Sequence, residues 1–268
     1  MNSSTFAAAD GDGYELLMGR WSARLAIPFL EFIDNQSGGR VLDVGCGTGH
    51  LAFALARMRD VTEVRAIDFA SAYIEHARHH NRDERIIFEV GDACALAFAD
   101  RSFDQVLSLL VLHFVPQPAR AIAEMLRVAK PGAVVGAAVW DVRGGFIANR
   151  IFFDTAAVLD TKANERRARN YTRPMTRPGE LAAAWAAAGF DDVVEGVLSI
   201  RMKFASFADY WTPYIGKDGP GAEYVAGLDK AGRTRLEEAV RAAYLDGEID
   251  GPRSYAALAW AVKGAAPS

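Results

Sequence analysis

The amino-acid sequence predicts an α/β fold built on a doubly wound, mostly parallel sheet of seven strands. Apolar runs of strand length alternate with helix-compatible segments through residues 41–140, which is the pattern of parallel βαβ units. The first of these strands leads at once into a glycine turn, residues 45–49, and then into a helix. Residues 133–140 are apolar on both faces, as in a strand that helices cover on both sides.

Each predicted element has its own signal. The strands are apolar runs at residues 41–44, 64–67, 86–90, 103–110, 133–140, 193–204 and 255–262. The helices cover residues 51–58, 71–80, 119–128 and 178–188. In the segment after residue 205, aromatic residues recur at helical spacing, and Thr234 with Glu237 predicts a further helix start by a capping box.

The composition is typical of a folded protein with a large core, since 51% of the 268 residues are apolar and 24% are charged. Thirty Lys and Arg against 34 Asp and Glu give a net charge of -4, and this negative charge disfavours nucleic-acid binding. No apolar stretch approaches the ~18 residues of a membrane helix, and residues 1–12 resemble no export leader, so we expect a cytoplasmic protein. Cys46 and Cys94 predict reduced thiols and no metal site.

The glycine turn is the most informative motif. A dinucleotide fingerprint has glycines at its first, third and sixth positions, whereas here the third glycine, Gly49, comes fifth after Gly45 and Gly47. Asp43 lies two residues before the turn, where a carboxylate would repel a pyrophosphate and attract an ammonium group. The motif therefore favours a zwitterionic ligand over a dinucleotide, although a tight strand-to-helix connection alone also needs glycines.

Two further carboxylates follow successive strands. Asp68 ends the second strand, where it could accept hydrogen bonds from both hydroxyls of a ribose, and Phe69 beside it could stack on a purine. Asp92 follows the third strand and could accept a hydrogen bond from an exocyclic amine. An N-cap role for Asp68 and an ordinary loop position for Asp92 are the alternatives. The carboxyl ends of parallel strands share one sheet edge, so we expect these side chains to cluster.

These motifs resemble those of the class I S-adenosylmethionine-dependent methyltransferases, in the small-molecule branch with domains of the methyltransferase 11 and 25 type. The resemblance is carried by the sequence VLDVGCGTG at residues 41–49, by Asp68 and by Gly91-Asp92-Ala93. It extends over residues 14–262 and is strongest over residues 41–132. It implies a Rossmann-like fold, S-adenosyl-L-methionine as the cofactor, and transfer of a methyl group to an O, N or C nucleophile of a small molecule.

The resemblance also implies a role for each motif residue. Gly45 and Gly47 would approach the methionine part of the cofactor, and Asp43 would support its amino group. Asp68 would hold the ribose and Asp92 the adenine amine. The remaining cofactor-site residues implied are Leu109 near the sulfonium and the motif members Cys46, Thr48, Phe69 and Ala93.

In similar sequences an N-terminal element lies over the cofactor, represented here by Tyr14, Met18, Gly19, Arg20 and Trp21. Arg20 would pair with the methionine carboxylate and Tyr14 would line the site, unless Arg20 is an exposed arginine of an amphipathic helix. We therefore expect an N-terminal helical lid at residues 1–39 and a Rossmann-like methyltransferase domain at residues 40–268. Cap insertions are expected at about residues 142–178 and 205–253, where the strand-helix alternation is interrupted.

Methyl transfer from a sulfonium depends largely on positioning and desolvation, and no strong catalyst is evident in the sequence. His113, which follows the fourth strand, is the best candidate for a general base, although it could instead be packed between a helix and a loop. Trp140 and the aromatic stripe of residues 207–214 could form the wall of an acceptor pocket, although such a stripe is more often core.

Other functions remain as alternatives. Ser108-Leu109-Leu110-Val111 replaces the Asn-Pro-Pro-aromatic segment of methylases that act on amino groups of adenine or glutamine, which disfavours a nucleic-acid or protein substrate. The glycine spacing disfavours a nicotinamide-dependent oxidoreductase. A non-catalytic S-adenosylmethionine-binding protein, and either a monomer or a homodimer, are compatible with the sequence.

The charge of one insertion bears on the acceptor. Residues 162–177 contain six basic residues and one acid, Glu165. Such a run is usually a solvated helix face. Alternatively, it belongs to a cap in which Arg169 and Arg173 bind an anionic acceptor through bidentate hydrogen bonds.

Overall fold

The computed structural model describes residues 4–6, 10–34 and 38–268. Its described part contains one sheet of seven strands: β1 (Gly39–Val44), β2 (Val61–Asp68), β3 (Ile86–Val90), β4 (Phe103–Leu109), β5 (Ala129–Trp140), β6 (Asp191–Phe204) and β7 (Arg253–Ala265). The order across the sheet is β3-β2-β1-β4-β5-β7-β6. The first five strands are parallel, and β7 runs antiparallel to both β5 and β6. The predicted mostly parallel, seven-stranded α/β fold is thus confirmed.

The strand order reverses between β1 and β4, which pair directly, with Asp43 opposite Leu107. From β1 the chain moves outward through β2 to β3, and it then returns to the other side of β1 with β4. In open α/β sheets such a reversal leaves a crevice at the carboxyl ends of the strands, and ligands bind there. The topology therefore places a candidate site after β1 and β4.

The helices are α1 (Gly11–Tyr14), α2 (Arg20–Ile33), α3 (His50–Leu55), α4 (Ser71–His80), α5 (Pro118–Val128), α6 (Ile147–Leu159), α7 (Thr161–Tyr171), α8 (Glu180–Ala188), α9 (Phe207–Trp211), α10 (Gly219–Ala226) and α11 (Lys230–Leu245). A π-helical turn (Glu15–Gly19) joins α1 to α2, and short 3₁₀ turns occupy Leu112–Phe114 and Thr212–Ile215. Among the described residues, no helix is long and apolar enough to cross a membrane.

The central sheet is buried on both faces. Along β1, Val41 packs in the cluster that contains α2, α3 and α4, whereas Leu42 packs in the cluster that contains α5 and α8. Trp185 of α8 is fully buried, and its indole Nε1–H donates to the carbonyl of Val135 at 3.0 Å. Helices on both faces explain why the parallel strands read as apolar runs rather than as alternating patterns.

The two predicted insertions are helical. Residues 144–177 contain α6 and α7, and the segment between β6 and β7 contains α9, α10 and α11. The helix start predicted from Thr234 and Glu237 is wrong, because α11 begins at Lys230. Asp229 is its N-cap, accepting the Gly232 backbone N–H at 2.7 Å, so Thr234 lies inside the helix.

Candidate active site

A cavity that is partly open to solvent lies at the carboxyl edge of the parallel strands. Asp68 at the end of β2, Gly45 after β1, Leu109 at the end of β4 and Trp140 at the end of β5 all line it. Three strand spacings separate β2 from β5, which is about 14 Å. The cavity therefore extends along four strand ends, a length that suits an elongated ligand.

The glycine turn forms the floor of this cavity, and its backbone requires glycine. Gly45 has φ 77°, and a Cβ atom there would lie 2.3 Å from the side chain of Val111. The backbone N–H groups of Gly45 and Cys46 both donate to the carbonyl of Ile67 at 2.8 Å, which fixes the turn against β2. A ligand can consequently approach the main chain closely at this point.

Asp68 joins the end of β2 to the glycine turn. Its Oδ2 accepts the backbone N–H of Gly47 at 2.9 Å, and its Oδ1 accepts that of Ala70 at 2.9 Å. Burial raises the pKa of this carboxyl, although the two hydrogen bonds oppose the shift. Each oxygen retains a further lone pair, so the carboxylate is oriented to accept hydrogen bonds from a ligand in the cavity.

Asp43 is fully buried beneath the glycine turn and does not line the cavity. Neither carboxylate oxygen has a hydrogen-bond partner of normal geometry in the described part of the chain. Burial and the charge of Asp68 raise the pKa of Asp43 to about 8. A buried carboxyl without a partner is uncommon in folded proteins, and it is compensated if a cation binds on the other side of the turn.

The third predicted carboxylate lies beside the cavity rather than in it. Asp92 is half-buried, and its Oδ1 accepts the backbone N–H of Cys94 at 2.8 Å in a local turn. Its neighbours Gly91 and Ala93 line the cavity, as does Phe69 after β2. The local turn occupies one oxygen of Asp92. A ligand in the cavity therefore meets the backbone of Gly91 and Ala93 more directly than the Asp92 side chain.

The N-terminal segment covers the glycine turn. The ring of Tyr14 lines the cavity beside Gly47, 4.8 Å from the ring of Tyr73, and burial raises the pKa of its hydroxyl. Leu17 and Met18 lie three and four residues further along, on the same helical face, and also line the cavity. Tyr14 therefore lines the cavity, and its place in a cofactor site stays a prediction.

Glu15 fastens this segment to the turn, and the sequence analysis missed it. Its carboxylate accepts a hydrogen bond from Thr48 Oγ1 and lies 2.9 Å from Nε2 of His50. Burial alone would raise the pKa of Glu15, but the bonds with His50 and Thr48 outweigh burial and lower it. Thr48 is therefore a buried anchor for the N-terminal segment rather than part of the cavity lining. Cys46 is likewise buried outside the lining, and burial raises the pKa of its thiol well above 9.0.

Arg20 departs from its expected position. Its Nη1 lies 2.8 Å from Oδ1 of Asp209 in α9, and its guanidinium stacks 4.4 Å from the ring centroid of Trp21. It does not line the cavity. The reason is helical geometry, because Arg20 lies six residues after Tyr14 and so projects from a different helical face.

His113 lies in the 3₁₀ turn after β4 and lines the cavity, with 2% of its surface exposed. Burial, together with the charge of Arg173, lowers its pKa well below 6.5. The imidazole is therefore neutral near pH 7, and its Nδ1 has no hydrogen-bond partner among the residues that the structure describes. A neutral imidazole with an unbonded ring nitrogen can accept a proton, and its lowered pKa makes it a weaker base than an exposed histidine.

Beyond His113, the cavity has a wall of large aromatic side chains and a few polar groups. Only one member of the aromatic stripe reaches it, since Phe207, Tyr210 and Trp211 are buried in the core while Tyr214 lines the cavity. Trp140 also lines it. Further lining residues, which the sequence analysis did not single out apart from Arg173, include Phe114, Phe146, Asn149, Phe153, Asn170 and Arg173.

Comparison with known proteins identifies the family. A family model described as "Methyltransferase domain" matches residues 42–136. A demethylmenaquinone methyltransferase of Roseiflexus sp. is 36% identical over 172 residues, which cover 59% of this chain and 70% of that protein. The chain belongs to the class I S-adenosylmethionine-dependent methyltransferases.

Other members of the family match shorter stretches or match in fold alone. The 27-O-demethylrifamycin SV methyltransferase of Amycolatopsis mediterranei is 37% identical over 101 residues, which are 36% of this chain and only 37% of that protein's length. Phosphoethanolamine N-methyltransferase 2 of Haemonchus contortus, solved with phosphomonomethylethanolamine and S-adenosylhomocysteine, has a TM-score of 0.59 at 16% identity. That comparison covers 96% of this chain and 57% of the other.

The family match covers one side of the cavity. It runs from β1 into β5 and ends at Gly136, so it includes the glycine turn, Asp68 and His113. Trp140 and the helical insertions that form the aromatic wall lie beyond it. The family therefore accounts for the cofactor side, and the acceptor side has to be interpreted from this chain's own residues.

Proposed function

We propose that this chain transfers a methyl group from S-adenosylmethionine to an O, N or C nucleophile of a small-molecule acceptor. The observation that carries the proposal is the single cavity that joins Asp68 and the glycine turn to an aromatic wall, with His113 between them. When bound, the sulfonium cofactor supplies an electrophilic methyl group. Its attack by an acceptor held in the same cavity needs chiefly proximity and exclusion of water.

The residues present fit this cofactor. The carboxyl of Asp43, which has no hydrogen-bond partner of normal geometry among the described residues, gives a cationic amino group a buried counter-charge across the turn. Asp68 has lone pairs for both ribose hydroxyls. Phe69 is 37% exposed at the cavity, so a flat purine can stack on its ring. Ala93 and the neighbouring Asp92 lie beside the proposed position of the far end of the adenine ring.

The chain's own residues then organise the transfer. Tyr14 covers the glycine turn, and Leu17 and Met18 line the same cavity. Together they keep water from the reacting atoms, which is the lid function that we propose for the N-terminal segment. His113 takes a proton from an acceptor oxygen or nitrogen, because its imidazole is neutral. The aromatic wall positions the apolar body of the acceptor.

The alternatives fit the structure less well. A nucleic acid or protein substrate would have to enter a cavity that α6, α10 and the Thr212–Ile215 turn help to enclose, which favours a small molecule. A non-catalytic sensor would not need a second, aromatic compartment beside a neutral histidine.

Calorimetry with S-adenosylmethionine, S-adenosylhomocysteine and NAD tests cofactor choice. A screen with labelled methyl donor tests turnover across carboxylic acids, phenols, amines and quinone precursors. Tight NAD binding without heat from S-adenosylmethionine would overturn the proposal, and cofactor binding without turnover of any acceptor would favour the sensor.

Binding of S-adenosylmethionine is expected to release a proton from Asp43. The pKa of this carboxyl is raised from 3.8 to about 8 by burial and by the charge of Asp68, so at about pH 6.5 the side chain is mostly protonated. The cofactor's ammonium favours the carboxylate, so the proton leaves on binding. Calorimetry in two buffers of different ionisation enthalpy should measure close to one proton released at about pH 6.5, declining as the pH approaches 8.

The variant Asp43→Asn is the control, and it is expected to bind without this proton release. A pKa raised above its unfolded value stabilises the free protein below about pH 3.8, and this stabilisation is lost as the pH rises towards about 8. The unliganded variant should therefore lose less stability than the parent between those two pH values. Proton release that is equal in the two proteins would show that Asp43 does not sense the ligand.

Replacing Glu15 with alanine is expected to speed dissociation of S-adenosylhomocysteine about tenfold, because the bonds to Thr48 and His50 hold the lid on the turn. Stopped-flow fluorescence measures this rate. The control is Glu31→Ala, which removes an exposed carboxylate further along α2. A point variant is preferable to deleting residues 1–21, since Trp21 is only 2% exposed and belongs to the core. Equal rates in the Glu15 and Glu31 variants would contradict the lid.

A further inference from the structure

Of the basic residues in the segment 162–177, Arg173 lines the cavity. Among the described lining residues, Arg173 is the only Lys or Arg and Asp68 the only Asp or Glu. Asp68 ends β2 on the cofactor side, whereas Arg173 follows α7 in the first insertion. The negative charge of Asp68 therefore lies on the proposed cofactor side of the cavity, and the positive charge of Arg173 lies on the proposed acceptor side.

The other basic residues of the segment have different roles. Three of them form ion pairs, which are Arg166 with Glu223, Arg167 with Asp154 and Arg177 with Glu180. Lys162 and Arg169 are exposed. The segment is thus mostly a solvated, ion-paired helix face, and Arg173 is the member that the fold directs to the cavity.

Arg173 is held in place without a carboxylate. Its guanidinium carbon lies 4.3 Å from the ring centroid of Phe114, and Nε and Nη2 both donate to Oδ1 of Asn170 at 3.2 Å. Nowhere in the described ranges does it form an ion pair. Burial lowers the pKa of this guanidinium to about 10, so it is charged near pH 7 and lacks a counter-charge.

We propose that Arg173 binds an oxyanion of the methyl acceptor, either a carboxylate or a phosphate, while the aromatic wall holds the acceptor's apolar body. The inference rests on the proposed methyltransferase function and specifies the class of its substrate. A stacked, pre-oriented guanidinium with free N–H donors suits bidentate binding of an oxyanion. An anion here would also remove the cost of the unpaired charge.

The position of Arg173 in the cavity indicates that the oxyanion belongs to the acceptor rather than to the cofactor. Arg173 approaches Phe114, next to His113 in the turn after β4, and it shares the lining with Trp140 at the end of β5. Asp68, at the end of β2, lies two strands from β4 and three from β5. An oxyanion on Arg173 therefore lies beyond the expected methyl group, close to the proposed base.

The test measures binding of matched acids and neutral analogues to the protein saturated with S-adenosylhomocysteine. The pairs are benzoate with benzamide, naphthoate with naphthamide, and benzyl phosphate with benzyl alcohol. In the parent protein at least one acid should bind about 10- to 100-fold more tightly than its neutral partner. Arg173→Gln should abolish that preference, and Arg173→Lys should restore part of it. The control Lys162→Gln, which changes an exposed lysine of the same segment that does not line the cavity, should retain it.

The affinity for S-adenosylhomocysteine separates the possible failures and serves as the folding control. It should stay within about twofold of the parent in all three variants. A parent protein that does not bind S-adenosylhomocysteine would overturn the proposed function itself. Normal cofactor binding with no acid preferred over its partner, or with a preference that survives Arg173→Gln, would overturn the inference alone. Weaker cofactor binding in Arg173→Gln would place the methionine carboxylate on Arg173 and would also overturn it.

Discussion

Replacing Asp68 with alanine is expected to weaken binding of S-adenosylmethionine about 100-fold, which corresponds to ~2.7 kcal/mol. The variant loses the acceptors for both ribose hydroxyls, and charge-assisted hydrogen bonds contribute ~1.5 to 3 kcal/mol. It also loses the bonds from Gly47 and Ala70 that orient the turn, so the floor of the cavity is less ordered before binding. Titration calorimetry measures the dissociation constant directly.

Two variants give this measurement its controls. Asp68→Asn keeps one oxygen acceptor at the same place and should lose less affinity than the alanine variant. Asp60→Ala removes an exposed carboxylate just before β2, at the opposite end of the same strand, and should bind as the parent does. If Asp68→Ala bound as tightly as Asp60→Ala, the ribose would lie elsewhere.

The sheet was predictable because its signals are local. Buried parallel strands are continuous apolar runs, and the predicted helix at residues 71–80 and strand at residues 86–90 match α4 and β3 residue for residue. The glycine turn was predictable for the same reason, since positive φ values and close packing restrict it to glycine. Asp68, Gly45 and Gly47 consequently lie where the motif indicates.

Charged side chains of the N-terminal segment were predicted less well. The sequence analysis assigned Arg20 to the cofactor, whereas the structure pairs it with Asp209, and it overlooked Glu15, which bonds to Thr48 and His50. Both pairings join residues far apart in the chain, so neither leaves a local pattern. The one available signal was His50, a polar residue at the start of α3 where a dinucleotide fingerprint has glycine.

The acceptor side shows the same limit. The predicted basic cap contains the relevant residue, Arg173, but the sequence could not separate it from Arg166 or Arg169, because only the folded chain shows which guanidinium packs on Phe114. Likewise Tyr214 reaches the cavity and Tyr210 does not, although both belong to one aromatic stripe. Substrate-side specificity depends on long-range packing, whereas the cofactor side depends on a contiguous motif.

Replacing His113 with glutamine is expected to lower kcat about 100-fold for an acceptor that must lose a proton, while the affinity for S-adenosylmethionine stays unchanged. General base catalysis contributes typically ~10²- to 10⁴-fold, and glutamine retains the polarity and approximate size of the side chain without its basicity. Burial and the charge of Arg173 hold the pKa of His113 well below 6.5, so the base form predominates at neutral pH. In the parent, kcat should therefore be flat from about pH 6.5 upward and fall only on acidification.

The pH profile distinguishes a base from a packing residue. If His113 removes the proton, the acid limb that it causes should disappear in His113→Gln, and the control His79→Gln, at the exposed end of α4, should keep both the limb and the rate. A packing role would instead lower the melting temperature and weaken S-adenosylhomocysteine binding while leaving the shape of the profile intact. Equal kcat values for His113→Gln and His79→Gln would show that His113 does not remove the acceptor's proton.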